Sequence, residues 1–181
     1  MSRISIPTKD EAPEATKPTL DSIQKALGFV PNIFRLVANS PAALGAFTSF
    51  QGALSKTLNV KTRERIALAV AEVNGCGYCL SAHTYLGLNL AKISPEEIAL
   101  NRKGSSSDAK ANAAVSFAAR IAEARGHVSD ADLAAVRAAG FSDAQIVEIV
   151  ALVAENTFTN YLNEVARTDI DFPAVPAANA A

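Results

Sequence analysis

The sequence contains no tryptophan, one methionine, two histidines and two cysteines in 181 residues. With so few thiols there is no disulfide framework, and the two that exist, Cys76 and Cys79, are too close in sequence to staple the fold. Closing so short a loop restricts the unfolded chain very little. Charge of one sign is missing as well. Seventeen basic and eighteen acidic residues give a net charge of −1, so neither a nucleic acid nor an anionic membrane is an expected partner. No run reaches the roughly 18 apolar residues of a membrane-spanning helix. The segment Met1–Pro7 lacks the apolar stretch of an export signal. Together with a Cys-x-x-Cys pair this makes a reducing cytoplasm the expected compartment. Convincing strand alternation is also absent, and Asn74-Gly75 lies between two helical patterns rather than two strands, so the fold class is all-α.

What is present is apolar and small. The chain is 49% hydrophobic, 19% charged and only 6% aromatic, with Ala, Leu, Ile and Val in bulk, which suits close helix packing. Residues 1–19, with Pro7, Pro13 and Pro18, read as an extended arm, 20–173 as one helical domain, and the Ala- and Pro-rich 174–181 as a loose tail. Within the domain, helices are expected over 21–28, 31–39, 41–56, 62–73, 76–90, from 95 to near Gly104, 108–125, 129–139 and 142–168. Ser94 with Glu97 and Ser142 with Gln145 have the spacing of capping boxes. A faint internal echo joins Val60–Val70 to Phe141–Ala151. It suggests a duplicated helical unit whose second copy carries Asn156, Thr157, Thr159 and Asn160 in place of the cysteines; likeness of composition between two buried helices explains the echo equally well.

The reactive groups are concentrated in Asn74-Gly75-Cys76-Gly77-Tyr78-Cys79-Leu80-Ser81-Ala82-His83. Two thiols three residues apart can cycle between dithiol and disulfide. On a helix His83 shares a face with Cys79, within reach to take its proton and stay as an imidazolium beside the thiolate. Cys76, just past the Asn74-Gly75 break, would sit near a helix N-terminus, where the macrodipole favours negative charge. Cys79 is then the better nucleophile and Cys76 the resolving partner. In a peroxidase cycle the Cys79 thiolate attacks a peroxide oxygen and becomes a sulfenic acid, Cys76 condenses with it, and an outside reductant reopens the disulfide. His83 needs an orienting carboxylate, and Glu64 and Glu72 share one helical face upstream. Spacing does not choose between them.

The array of Glu64, eleven intervening residues, then Cys76-x-x-Cys79-x-x-x-His83 resembles the signature of the alkylhydroperoxidase D (AhpD)-like branch of the carboxymuconolactone decarboxylase family. Arg63–Val70 and Leu27–Asn32 agree with it. Asn160-Tyr161 and Asp171-Phe172-Pro173 resemble the longer peroxidase-related members, and the likeness covers about residues 20–173. The resemblance implies an all-helical fold, assembly into trimers or hexamers, and a thiol peroxidase acting on organic hydroperoxides without metal or other cofactor; the residues themselves leave the homo-oligomer open as dimer, trimer or hexamer. It also implies that Cys79 is peroxidatic, Cys76 resolving, His83 the base and Glu64 the end of the relay. The expected partners are the hydroperoxide and an external thiol or dithiol reductant, of lipoyl- or thioredoxin-type. One departure lies inside the motif: Tyr78 stands where the best-known alkylhydroperoxidase has a second histidine. Tyr78 and Glu72 are therefore carried as supporting residues. Competing readings are a general dithiol oxidoreductase, a redox sensor without catalysis, a lyase acting on a small lactone acid, a zinc site completed by Glu64 or Glu72, and two inert buried cysteines. His127, Tyr85, Arg63 and Arg65 are read as surface or packing residues.

Overall fold

The computed structural model describes residues 2–178. In chain order, a 3-10 turn at Glu14–Thr16 leads into α1 (Lys17–Leu27), α2 (Asn32–Val37), α3 (Pro41–Leu54), α4 (Val60–Val73), α5 (Gly77–Asn89), α6 (Pro95–Arg102), α7 (Ala109–Glu123), α8 (Asp130–Ala138) and α9 (Asp143–Ala166). Among the described residues there is no strand, and no helix is long and apolar enough to cross a membrane. The fold is all-α.

α4 is the buried axis. Ile66, Ala67, Leu68, Ala69, Val70 and Ala71 are each at most 2% exposed, so this helix is apolar on all sides over these six residues, as a helix enclosed by others must be. It packs against α5, α6, α7 and α9. On one side Leu68 joins Leu20, Leu36, Leu44 and Leu80; on the other Ile66 and Val70 join Ala114, Ala118, Ile149 and Val153. Burying a leucine such as Leu68 completely contributes about 1.5–3 kcal/mol.

The helix starts follow local chemistry. Ser40, Asn59, Ser94, Asp108, Ser129 and Ser142 each accept a hydrogen bond from a backbone N–H in the first turn of the following helix. Reciprocal capping boxes form at Ser129 with Asp132 and Ser142 with Gln145. The box expected at Ser94 is only half made. Ser94 Oγ accepts from Glu97 N at 3.3 Å, but the Glu97 carboxylate turns inward to the Ser106 and Ser107 hydroxyls and the Asn101 amide. α1 also begins earlier than its sequence suggested, at Lys17, because Pro18 sits in the first turn, where a missing N–H costs nothing.

Both ends of the described chain are tied to the domain. Arg35 donates to the carbonyls of Pro7 (2.8 Å) and Ile6 (3.2 Å), and Asn39 Nδ2 to that of Ser5 (2.7 Å). The stretch read as the start of a loose tail is pinned over 175–178. Val175 N donates to Ser81 Oγ (2.9 Å), Ala178 N to Glu72 Oε1 (2.6 Å), and Arg102 reaches the Pro176 carbonyl (2.8 Å). The rest of that tail, 179–181, lies outside the described residues.

Candidate active site

The bend between α4 and α5 builds the site. Gly75 adopts φ +68°, a left-handed conformation that costs glycine nothing. Its N–H bonds to the Glu72 carbonyl (3.1 Å) and that of Cys76 to the Ala71 carbonyl (3.0 Å). These two bonds are a Schellman ending for α4. The same turn delivers Cys76 as the N-cap of α5, its Sγ accepting from Cys79 N at 3.2 Å. A sulfur thus takes the place of the usual capping oxygen. The second thiol follows one turn later and is 3% exposed, while Cys76 is wholly buried. Both are free, with the sulfurs 2.6 Å apart and Cys76 donating to Cys79. Closing a disulfide, about 2.05 Å between sulfurs, requires a shift of roughly half an ångström.

α4 runs back past α5, and this brings Glu64 to His83. The imidazole Nδ1 is 2.8 Å from Glu64 Oε2. The pair is mostly buried, with 22% of the histidine side chain and 13% of the glutamate exposed. Holding Nδ1 leaves Nε2 as the nitrogen free to exchange a proton with a thiol or bound substrate. Glu72 takes another part. It pairs with Arg102 Nε at 2.6 Å and accepts from the Ala178 N–H, so this carboxylate ties α6 and the C-terminal segment to α4 and does not face His83. Tyr78 is structural in its contacts as well. Its hydroxyl accepts from Ile33 N (3.1 Å) and donates to Asp171 Oδ1 (2.8 Å), while its ring meets Phe172 edge-on. Arg65, read as a surface charge, is half-buried and faces Glu97 at 3.5 Å; Arg63 donates to the Leu58 carbonyl. His127 is exposed in a loop. Among the described residues no three His, Cys, Asp or Glu side chains are grouped as metal ligands would be.

The two thiols are made unequal by their surroundings. Donation to Cys79, followed by burial, pushes the Cys76 thiol far up. The helix N-terminus does favour a charge on Cys76, through the Cys79 N–H, but this is outweighed. Burial also opposes ionisation of Cys79. The hydrogen bond from Cys76, the charge of His83 and the amides of Asn163 and Asn160 overcome it and bring the thiol down to about 7. His83 is in turn raised: burial disfavours its cation, and the Glu64 carboxylate more than compensates. Burial pushes the nearby Glu155 carboxyl up, against a hydrogen bond from Gln51 and the charges of His83 and Arg63.

α9 supplies what the motif did not reveal. Asn156, Asn160 and Asn163 lie on its buried face at 6%, 0% and 2% exposure, and Asn163 Nδ2 donates to Cys79 Sγ at 3.3 Å. Asn74, in the bend, donates to Asn160 Oδ1 at 2.8 Å. The available signal was their spacing: polar residues at i, i+4 and i+7 on the core side of an apolar helix require partners. A cleft of about 300 Å³ opens beside Cys76, between Gly75, Gly77 and Tyr78 on one side and Asn163, Arg167 and Thr168 on the other.

Comparison with known proteins agrees with the geometry. Residues 41–124 match the carboxymuconolactone decarboxylase family. An alkylhydroperoxidase AhpD core, a peroxidase-related protein from Ralstonia eutropha JMP134, superposes with a TM-score of 0.84 at 26% identity, covering 94% of this chain and 92% of its own. A peroxidase-related protein from Silicibacter sp. TM1040 gives 0.81 at 26% identity, covering 99% and 93%. The debrominase Bmp8 shares the fold at 20% identity, with a TM-score of 0.79 over 93% and 92%. No protein of curated function matches the sequence. With its bend-borne dithiol and helical frame, the chain is similar to the carboxymuconolactone decarboxylase family over residues 41–124 and shares the fold of the AhpD core and peroxidase-related structures.

Proposed function

We propose that this protein is a thiol peroxidase that reduces organic hydroperoxides, with Cys79 as the attacking thiol. The observation that carries the reading is the pair Cys76–Cys79 lying in the field of the His83–Glu64 pair, so that one thiol is made acidic and its neighbour is held as a thiol. The Cys79 thiolate attacks the terminal peroxide oxygen, the O–O bond breaks, and Cys79 becomes a sulfenic acid. The leaving alkoxide takes a proton from His83, whose cation Glu64 supports. Cys76 then attacks the sulfenic sulfur, water leaves, and the disulfide forms. An external dithiol returns two electrons and reopens the disulfide. Glu72 and Tyr78 hold the frame without exchanging protons in this scheme.

We further infer that the protein works as a homo-oligomer in the cytoplasm. Val147, Val150, Phe158, Tyr161 and Val165 are exposed along one face of α9, opposite the asparagines, and a second copy would cover them. The test of the reading is peroxide consumption with a dithiol reductant. Wild type should turn over, and Cys79→Ser and Cys76→Ser should not sustain turnover. Absence of peroxide-dependent turnover with every dithiol donor tried would remove the proposal.

A further inference from the structure

Two buried polar atoms beside the dithiol make no hydrogen bond of normal geometry, although the Asn160 amide lies near enough to Cys79 to favour its thiolate. Asn160 Nδ2 is a donor and Asn163 Oδ1 an acceptor, both buried and unbonded, in residues 0% and 2% exposed. Buried polar atoms are costly when nothing meets them, and these two lie side by side on the face of α9 turned to Cys79. Neither is loosely placed. Asn74 Nδ2 donates to Asn160 Oδ1 at 2.8 Å, which fixes the direction of the Asn160 amide nitrogen. Asn163 is fixed by its own bond, Nδ2 to Cys79 Sγ at 3.3 Å. The amide of Asn160 also helps hold charge on that sulfur.

A thiolate needs donors only. A sulfenic acid, S–O–H, needs one donor to its oxygen and one acceptor for its hydrogen. The unmatched pair on α9 has that complement. We propose that Asn160 and Asn163 form an amide cradle that stabilises the Cys79 thiolate and then receives the oxygen that Cys79 gains, with Asn160 Nδ2 donating to the sulfenic oxygen and Asn163 Oδ1 accepting its proton. The oxygen comes from the hydroperoxide, whose O–O bond breaks as the S–O bond forms; Cys79 is oxidised and the peroxide leaves as an alcohol. The cradle is distinct from the His83–Glu64 relay, which manages the leaving group's proton. It comes from the second half of the chain, where the sequence echo had pointed to a copy without chemistry. Asn74 is a positioning residue acting through Asn160.

This assignment rests on the peroxidase reading for its oxygen but not for its thiolate part, and two readouts separate them. Both use a Cys76→Ser background, so that Cys79 is the sole thiol and the sulfenic acid is not resolved. Rates of iodoacetamide alkylation against pH give the Cys79 pKa without any peroxide. Asn163→Ala and Asn160→Ala should each raise it by about one unit, a tenfold loss of thiolate below that pH. Sulfenic acid formed with one equivalent of tert-butyl hydroperoxide, trapped with dimedone after increasing delays, should be lost about tenfold faster in Asn160→Ala. Asn160→Ser and Asn163→Ser, which keep a short polar group, should fall between, and they replace any alanine variant that does not fold. Unchanged alkylation pKa and unchanged sulfenic lifetime in folded variants overturn the cradle. A shifted alkylation pKa with no peroxide oxidation of Cys79 supports the thiolate role and overturns the peroxidase reading together with the oxygen-binding role.

Discussion

His83 Nδ1 and Glu64 Oε2 are 2.8 Å apart, joining α5 to α4 across the Gly75 bend. The contact sets the tautomer of the imidazole and favours its charged form, and that charge lowers Cys79 in turn. Two protons are thereby linked through one carboxylate.

Glu64→Gln should break this linkage. His83 loses its anion, so its pKa falls, and Cys79 loses a cation, so its pKa rises. Peroxide consumption near neutral pH should drop about 100-fold, and the rising limb of its pH profile should move to higher pH. The pair's contribution to stability, present below the ordinary histidine pKa, fades in wild type as pH rises through the raised value; the variant should lack that dependence. NMR titration of His83 and a pH–rate profile check both. An unmoved profile would detach Glu64 from the relay.

Tyr78→Phe should affect stability more than rate. The hydroxyl bridges Ile33 N and Asp171 Oδ1, and its loss leaves a buried N–H unpaired, costing about 1–3 kcal/mol. Chemical denaturation should show this loss while single-turnover oxidation of Cys79 stays within about threefold. A large fall in oxidation rate with normal stability would put Tyr78 in the chemistry.

Glu97 should govern acid stability. Burial opposes its charge, but Ser106, Ser107 and Asn101 donate to the carboxylate and hold it down at about 2. A depressed folded value means that the contribution is full above pH ~4.5 and is lost as pH falls toward ~2. Glu97→Gln should cost about 2–4 kcal/mol at pH 7, with Arg65 left without its anion, and flatten the melting temperature against pH between about 5 and 2. Parallel curves for the two proteins would contradict this.

The helices and the placing of Cys76, Cys79 and His83 on one bend and helix were legible because short-range rules govern them. Ser, Asn and Asp caps, a glycine at the bend and the i, i+4 relation of Cys79 to His83 all act within a few residues. The choice between Glu64 and Glu72 was not legible, since the two share a helical face and only the packing of α6 and the C-terminal segment gives Glu72 to Arg102. Asn163 and Asn160 were invisible as site residues for the same reason: they reach Cys79 from more than eighty residues away. The Ser94–Glu97 spacing misled because a buried polar loop outbid the local cap. Residues 175–178 looked loose because their anchors are backbone groups, which composition does not reveal.

The most direct test of the account is the mass of each protein after one equivalent of an organic hydroperoxide, without reductant. Wild type should lose two hydrogens as Cys76 and Cys79 join, Cys76→Ser should gain one oxygen on Cys79, and Cys79→Ser should stay unchanged. Peroxide consumed by Cys79→Ser at the wild-type rate, or wild type left as the dithiol, would contradict it.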